Sequence, residues 1–363
     1  MSNHTIPEGK RILVVNPGST STKVAVYVDD VPYCITTIRH NAEDLAAYEQ
    51  IIDQHTFRRQ LVTDWLKQNH IPMQFDAIIG RGGLIKPIPG GVYQVNEKMC
   101  HETYYALRKH ACNLGCIIAY ELARLQKEPC EAYIADPVTV DELVPEARVS
   151  GSPLMPRLAI WHALNQRATA RRYAKEIGRR YEDLNLIICH LGGGISIAAH
   201  ERGRAIDTNN ALDGEGPLSP ERAGTLPAAD LIHLCYSGQY TEDQLKKRVA
   251  GQAGLMAHLG TTDIVKILQM ADDGDAHARL LINAMIFHTA KGIAAESAVL
   301  FGRVDAILLT GGMAHSDYIT QGIAQRVEHI APVRIFPGED EMEALALNAL
   351  AVLRGERIAN EYK

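Results

Sequence analysis

One pattern occurs twice in this chain. ILVVNPGSTSTKVAVY begins at Ile12 and LIICHLGGGISIAAHE begins at Leu186. Each is an apolar run, a polar residue (Asn16, His190), a glycine-bearing turn and a second run. Apolar runs of this length, rich in β-branched residues, read as buried strands, and two joined by a short glycine turn read as a hairpin. A unit repeated at so large an offset predicts two similar domains. The first turn, NPGSTSTK, admits two readings. Pro17, Gly18 and Ser19 are ordinary bending residues. A glycine-opened turn with hydroxyls and a lysine is also a cradle for an anion such as phosphate.

The remaining pattern favours the second reading. DAILLTGGMAHS at 305–316 is a further apolar run ending in glycines, Gly311 and Gly312, and ligands in open α/β sheets bind beyond such strand ends. Two domains presenting glycine turns to one cleft would hold a nucleotide. No G-x-x-x-x-G-K-[ST] is present, so the cradle is not a P-loop.

Strand and helix signals alternate, which predicts an α/β class. Strands are expected at Ala77–Gly80 and Ala132–Ala135, the latter ending at Asp136. Helices are expected over 101–126, 157–180, 276–300 and 342–353. A length of 363 residues suits two domains, and 46% hydrophobic residues permit large cores. A net charge of -6 argues against nucleic acid as a partner. The polar opening MSNHTIPEGK lacks a signal-peptide pattern, and no run approaches the roughly 20 apolar residues of a membrane helix. Seven scattered cysteines fit reduced thiols, so a cytoplasmic location is expected. CHETYYALRKHACNLGC at 100–116 has no metal-ligand spacing; Cys112 and Cys116 read as packing residues.

NPGSTSTK, GRGGLIKPIPGG at 80–91, HACNLG at 110–115, CHLGGGIS at 189–196, PERAG at 220–224 and LTGGMAHS at 309–316 together resemble the acetate and butyrate kinases. The resemblance runs from residue 11 to the last helix, and GRGGLIKPIPGG places it nearer the butyrate kinases. It implies two duplicated ribonuclease H-like domains of the actin-like ATPase type, with the nucleotide cleft between them. The first would span 1–155, completed by the C-terminal helix 342–363, and the second 156–341. It further implies ATP/ADP and Mg²⁺ as cofactors, a homodimer or higher homo-oligomer, domain closure, and transfer of the γ-phosphoryl group to a small carboxylate such as butyrate. Isobutyrate, propionate or acetate are the alternative substrates. An actin-like sugar kinase would need an aspartate base for a neutral hydroxyl, for which Asp136 is the one candidate. A non-metabolic ATPase of the superfamily would need a peptide-binding or polymerising segment, and none is expected after the last helix.

A carboxylate is already ionised at neutral pH and needs no general base. The difficulty is an anion approaching a polyanion, so the protein must supply cations and fixed donors. By resemblance, Arg81 and Arg222 face the carboxylate and the transferring phosphoryl, a task suited to a planar, permanently charged fork. His162, within the predicted helix 157–180, matches the first histidine of the family's His-Gly-Thr-Ser-His segment; Gln166 stands where the later histidine would be. His110 matches another active-site histidine, and Asp136 an orienting carboxylate. His190, Gly192, Gly193 and Gly194 approach the β and γ phosphates, with Gly193 replacing an asparagine of acetate kinases. Ser19 and Ser21 face the phosphate side, and Gly311 and Gly312 lie near the α-phosphate and adenosine. Asn16 and Glu341 match the metal-side residues, with Asp340 as the rival in the run Glu339-Asp340-Glu341. Lys23 has no firm place, because strand alternation can turn it away.

Overall fold

The computed structural model describes residues 7–106 and 108–363, so the first six residues of the chain and Leu107, both covered by readings above, lie outside the described residues. The chain divides into two α/β units. One runs to Val140 and takes up the chain again at Asp340–Lys363; the other is Asp141–Glu339, so 141–155 group with the second unit.

The strands of the first unit are β1 (Arg11–Pro17), β2 (Ser21–Val28), β3 (Val31–Arg39), β4 (Ala77–Arg81), β5 (Val92–Gln94), β6 (Glu131–Ala135) and β12 (Asn360–Glu361). Those of the second are β7 (Asn185–Leu191), β8 (Ile195–Glu201), β9 (Arg204–Thr208), β10 (Ala306–Gly311) and β11 (Val333–Pro337). The first sheet has the order β12-β5-β6-β4-β1-β2-β3 and the second β11-β10-β7-β8-β9. In the first, β1-β2-β3 is an antiparallel meander, and β4 and then β6 add in parallel to the β1 side. In the second, β7-β8-β9 is the same meander, and β10 and then β11 add in parallel to β7. The two repeated motifs are the β1-β2 and β7-β8 hairpins, and the shared order extends the duplication to five strands per unit.

The central strands are buried on both faces: Ile12 to Val15, Ala77 to Ile79, Leu186 to Cys189 and Ala306 to Leu309 have no exposed surface. This is why they read as continuous apolar runs. Helices Leu114–Leu125 and Glu341–Leu353 cover the first sheet. Helix Ala163–Glu176 covers β7 and β10, and helix Ala276–Val299 covers β7 and β8.

Two helix expectations are corrected. The region 101–126 is not one helix. A helix ends at Tyr104, a 3-10 turn spans Ala111–Asn113, and a second helix runs Leu114–Leu125. Local polar side chains compete for the backbone here. Asn113 Nδ2 donates to the Arg108 carbonyl at 3.0 Å, and His110 Nδ1 accepts from Cys112 N at 3.2 Å. The helix expected over 157–180 begins only at Ala163 and ends at Glu176, so His162 is its N-cap residue rather than an interior one. The backbone of 157–162 is engaged elsewhere: Arg157 N donates to the Arg148 carbonyl, and the Ile160 carbonyl accepts from Ala211 N.

Candidate active site

In the first unit the candidate residues stand at the C-terminal ends of three adjacent parallel strands. Val15 pairs with Gly80 and Arg81 with Ala135, so Asn16, Arg81 and Asp136 follow one another across β1, β4 and β6. Glu341, first residue of helix Glu341–Leu353, brings its carboxylate to this edge, and the helix dipole favours an acid at that position. One oxygen, Oε2, accepts from Asn16 Nδ2 at 2.8 Å and from Arg81 Nη1. The three side chains are largely shielded: Asn16 is buried, and Arg81 and Glu341 are 21% and 12% exposed. Asp340 is the N-cap residue of the same helix.

Asp136 is buried and has a φ of +40°, a region that L-residues rarely occupy. Its Oδ1 accepts from Gly91 N at 2.8 Å and its own N donates to the Gly91 carbonyl at 2.9 Å. It therefore fixes the 80–91 loop to the strand ends. His110 is an exposed N-cap of the 111–113 turn. Its neighbour Asn113 is buried and accepts from Leu84 N at 2.8 Å, so this turn holds the same loop from the other side. Burial pushes the Cys112 thiol up to about 11, with the Arg81 and Glu341 charges as smaller, opposed influences.

The hairpin turn after Asn16 shows why its sequence is polar. Arg58 donates to the carbonyls of Gly18, Ser19 and Ser21 at 2.6, 3.1 and 3.1 Å, and His40 N donates to that of Thr20 at 3.0 Å. In a trans peptide the N–H points opposite to the preceding carbonyl. Each N–H of Ser19, Thr20 and Ser21 therefore points away from the group that holds the carbonyl before it, which is Arg58 for Ser19 and Thr20 and His40 N for Ser21. Ser19 is exposed and Ser21 half-buried; Lys23 stands exposed between buried Thr22 and Val24. Arg58 went unnoticed in the sequence, where a basic residue in a helical pattern reads as surface.

In the second unit His190 and Ser196 are cross-strand partners on β7 and β8. The start of helix Ala163–Glu176 lays His162, Asn165 and Gln166 over them, at the i, i+3 and i+4 spacing that shares one face. His190 Nδ1 lies 2.7 Å from Asn165 Oδ1. His190 Nε2 lies 2.9 Å from Glu339 Oε1, close enough for an ion pair, though the carboxylate sits off the N–H direction. The rings of His162 and His190 stack at 3.7 Å with a 10° interplanar angle.

Beyond β7 come Gly192, Gly193 and Gly194. A Cβ on Gly192 would come within 2.8 Å of His190 Nε2, and one on Gly193 within 3.2 Å of Glu221 Oε2. The Gly193 carbonyl accepts from Glu221 N at 3.0 Å and Ser219 Oγ at 2.7 Å, which turns the Gly194 N–H the other way. Arg222 lies against Gly194; its Nη1 is 3.6 Å from Glu221 Oε2, and its buried Nε has no hydrogen-bond partner among the described residues. Gly311, at φ +92°, ends β10 where a Cβ would lie 2.5 Å from the Leu191 carbonyl oxygen, and Gly312 opens the 3-10 turn Gly312–His315. A cavity of about 690 Å³ is lined by Gly192, Gly193, Glu221, Gly312 and Met313, with Ile264 and Leu268 among its apolar residues. Glu221, Glu339, Asn165 and Ser196 are functional candidates that sequence reasoning did not single out; only the i, i+3 spacing of Asn165 from His162 was visible.

Two α/β units with duplicated sheets and glycine turns beyond parallel strand ends define the actin-like ATPase fold. Solved acetate kinase from Porphyromonas gingivalis shares it at a TM-score of 0.77 and 17% identity, over 95% of this chain and 100% of that one. Propionate kinase from Francisella tularensis does so at 0.76 and 17%, over 93% and 98%. The acetokinase family profile matches residues 160–331. A probable butyrate kinase of Bacteroides thetaiotaomicron is 60% identical over 97% of this chain and 100% of its own length. Butyrate kinase 2 of Clostridium acetobutylicum is 49% identical over 97% and 99%. The chain belongs to the acetokinase family, and it is a kinase. Among the described residues no helix is long and apolar enough to cross a membrane.

Proposed function

We propose that the chain transfers the γ-phosphoryl group of ATP to butyrate, giving butyryl phosphate and ADP, and makes ATP in reverse. The observation that carries the phosphoryl-transfer half is the cavity lined by glycine turns beyond the adjacent parallel strands β7 and β10. Such strand ends are where open α/β sheets bind ligands, and turn N–H groups without Cβ atoms admit phosphate oxygens closely. Its volume and apolar residues suit a nucleoside. The 60% and 49% identities to proteins named for butyrate support that acid over propionate and acetate.

In the reaction a carboxylate oxygen forms a bond to the γ-phosphorus while the bond from that phosphorus to the bridging oxygen breaks, and ADP leaves. Arg222, with its unpartnered Nε beside the Gly194 turn, takes the charge of the transferring group. His162 donates to a phosphoryl oxygen. Arg81 offers its fork to the carboxylate, held at the strand end by Glu341. Asp136 and His110 act by fixing the 80–91 loop that carries Arg81. Ser19, Ser21 and the turn N–H groups serve the phosphate side.

The donors on the first unit's edge also fit magnesium. A carboxylate and an amide oxygen are hard oxygen ligands, and Mg²⁺ takes only one or two of these beside water and phosphate. Asn16 and Glu341 would hold it, and the ion would supply charge neutralisation of the phosphates. We assign Glu341 rather than Asp340 because its carboxylate already lies against Asn16.

A hydroxamate assay with ATP and Mg²⁺ across acetate, propionate, butyrate, isobutyrate and valerate tests the assignment. Acyl hydroxamate peaking with butyrate is expected. One methylene is worth about 1–3 kcal/mol in an apolar pocket, so flanking acids should fall roughly 10- to 200-fold in kcat/KM. A peak at another acid overturns the substrate, and nucleotide hydrolysis without hydroxamate overturns the carboxylate acceptor.

A further inference from the structure

Gln166 has no part in the reaction as described, yet it is completely buried, and so are its partners Ser196 and His200. Its amide nitrogen lies 3.1 Å from the Ser196 carbonyl oxygen and 2.9 Å from Ser196 Oγ. Its amide oxygen lies 3.0 Å from His200 Nε2. These contacts leave no freedom in the direction of the hydrogen bonds.

A carbonyl oxygen only accepts, so the end of Gln166 facing Ser196 is the NH₂. Its oxygen then faces His200, whose Nε2 donates. His200 Nδ1 is 2.6 Å from the Tyr181 hydroxyl and receives that proton. The chain of bonds needs a neutral His200 with a single N–H. Burial, with the Arg167 and Arg171 charges, pushes the His200 imidazole down to about 3 and so keeps it neutral.

Ser196 is constrained in the same way. Its Oγ receives an N–H from Gln166 and another from the backbone of His162 at 3.3 Å. A hydroxyl oxygen has two lone pairs, and both are then used. Its third neighbour, His162 Nδ1 at 2.8 Å, must therefore receive the hydroxyl proton. That makes Nδ1 the acceptor and leaves the ring hydrogen of neutral His162 on Nε2.

We propose that Gln166, acting through Ser196, is a positioning residue that fixes His162 as the Nε2–H tautomer. In that form Nε2 donates to a phosphoryl oxygen; in the other it would present a lone pair to an anion. The stacked His190 ring blocks the rotation that would exchange the two nitrogens. The purpose of the tautomer rests on the phosphoryl-transfer reading above, but the tautomer itself does not.

The test is imidazole ¹⁵N NMR of the full chain at pH 8, above the ordinary titration of histidine, with His162 assigned by the signal lost in His162→Asn. The wild type should show a pyridine-like Nδ1 and a pyrrole-like Nε2. Gln166→Leu and Ser196→Ala should show averaged shifts. In both, kcat should fall about 10- to 100-fold, the usual range for a lost outer partner, with the nucleotide KM held within about twofold. Ser196→Thr, which keeps the hydroxyl, should retain both the shifts and kcat. A wild-type His162 carrying its hydrogen on Nδ1 overturns the proposal without recourse to any variant. So does an unaltered tautomer in Gln166→Leu and Ser196→Ala, or a loss confined to KM. A chain that makes no acyl phosphate defeats the functional reading, and the NMR result still decides this one.

Discussion

Arg58 shows how a single buried cation shapes a turn that it does not belong to. Its guanidinium has no exposed surface and is met by five oxygen acceptors: the carbonyls of Gly18, Ser19 and Ser21, the Thr22 hydroxyl and the Gln54 amide. Burial pulls it down to about 10, so it remains charged at neutral pH. Lysine would keep the charge but not the fork. Each carbonyl left unsatisfied costs about 1–3 kcal/mol. Arg58→Lys should therefore lower stability by several kcal/mol in urea unfolding, and an unchanged midpoint would mean that the turn holds its shape unaided. Asn16 and His190 stood out in the sequence as polar residues ending apolar runs, and Arg81 through the resemblance of GRGGLIKPIPGG to the family. Arg58, Asn165 and Ser196 did not stand out, because what sets them apart is a partner distant in the chain. Gln166 was visible only as a departure from a family motif, and its contacts with Ser196 and His200 were hidden.

At the scale of elements, β4 and helix Leu114–Leu125 meet through two glycines. A Cβ on Gly80 would lie 2.0 Å from the Gly115 carbonyl oxygen, and one on Gly115 would lie 2.2 Å from that of Arg81. Both clashes are with backbone, so the helix could relieve them only by moving off the sheet. Gly80→Ala and Gly115→Ala should each cost at least the roughly 1–3 kcal/mol of an overpacked core. Gly151→Ala, with nothing within 4 Å of its Cβ, should change thermal unfolding little. Equal effects at all three positions would refute the close approach. β1, β2, β4, β6, β7, β8 and β10 were legible because each carries a buried apolar run, whereas β3, β5, β9, β11 and β12 are short or partly exposed and lack one. Helix Ala276–Val299 was legible because its backbone bonds run uninterrupted from end to end. The regions 101–126 and 157–180 misled because periodicity registers neither a side chain that captures the backbone, as Asn113 does at Arg108, nor a distant backbone partner, as Arg148 is for Arg157 and Ala211 for Ile160.

For the whole chain the shared order of five strands in each unit extends what the two repeated motifs implied, since β3, β4, β6 and their counterparts carry no sequence echo of their own. Stability against pH is also a property of the whole, and it is set by a few buried groups. His200, held down to about 3, and His40, held down to about 4 chiefly by burial, bind protons more weakly folded than unfolded. Their contribution is complete above the ordinary value of 6.5 and is lost as pH falls below it. Glu296, in helix Ala276–Val299, has the opposite sign. Burial, assisted by Asp207, raises it from 4.5 to about 8, and its Oε2 has no hydrogen-bond partner among the described residues. Between those values the unfolded chain releases the proton and the folded chain keeps it, so stability falls as pH rises, by at most about 1.4 kcal/mol per unit. Glu296→Gln removes this penalty. The variant should match the wild type near pH 4.5 and gain on it steadily up to pH 8, beyond which the difference should stay constant. Thermal unfolding at half-unit intervals would show the two curves diverging; parallel curves would mean that Glu296 is ionised in the folded chain, with water or a cation reaching it in the core.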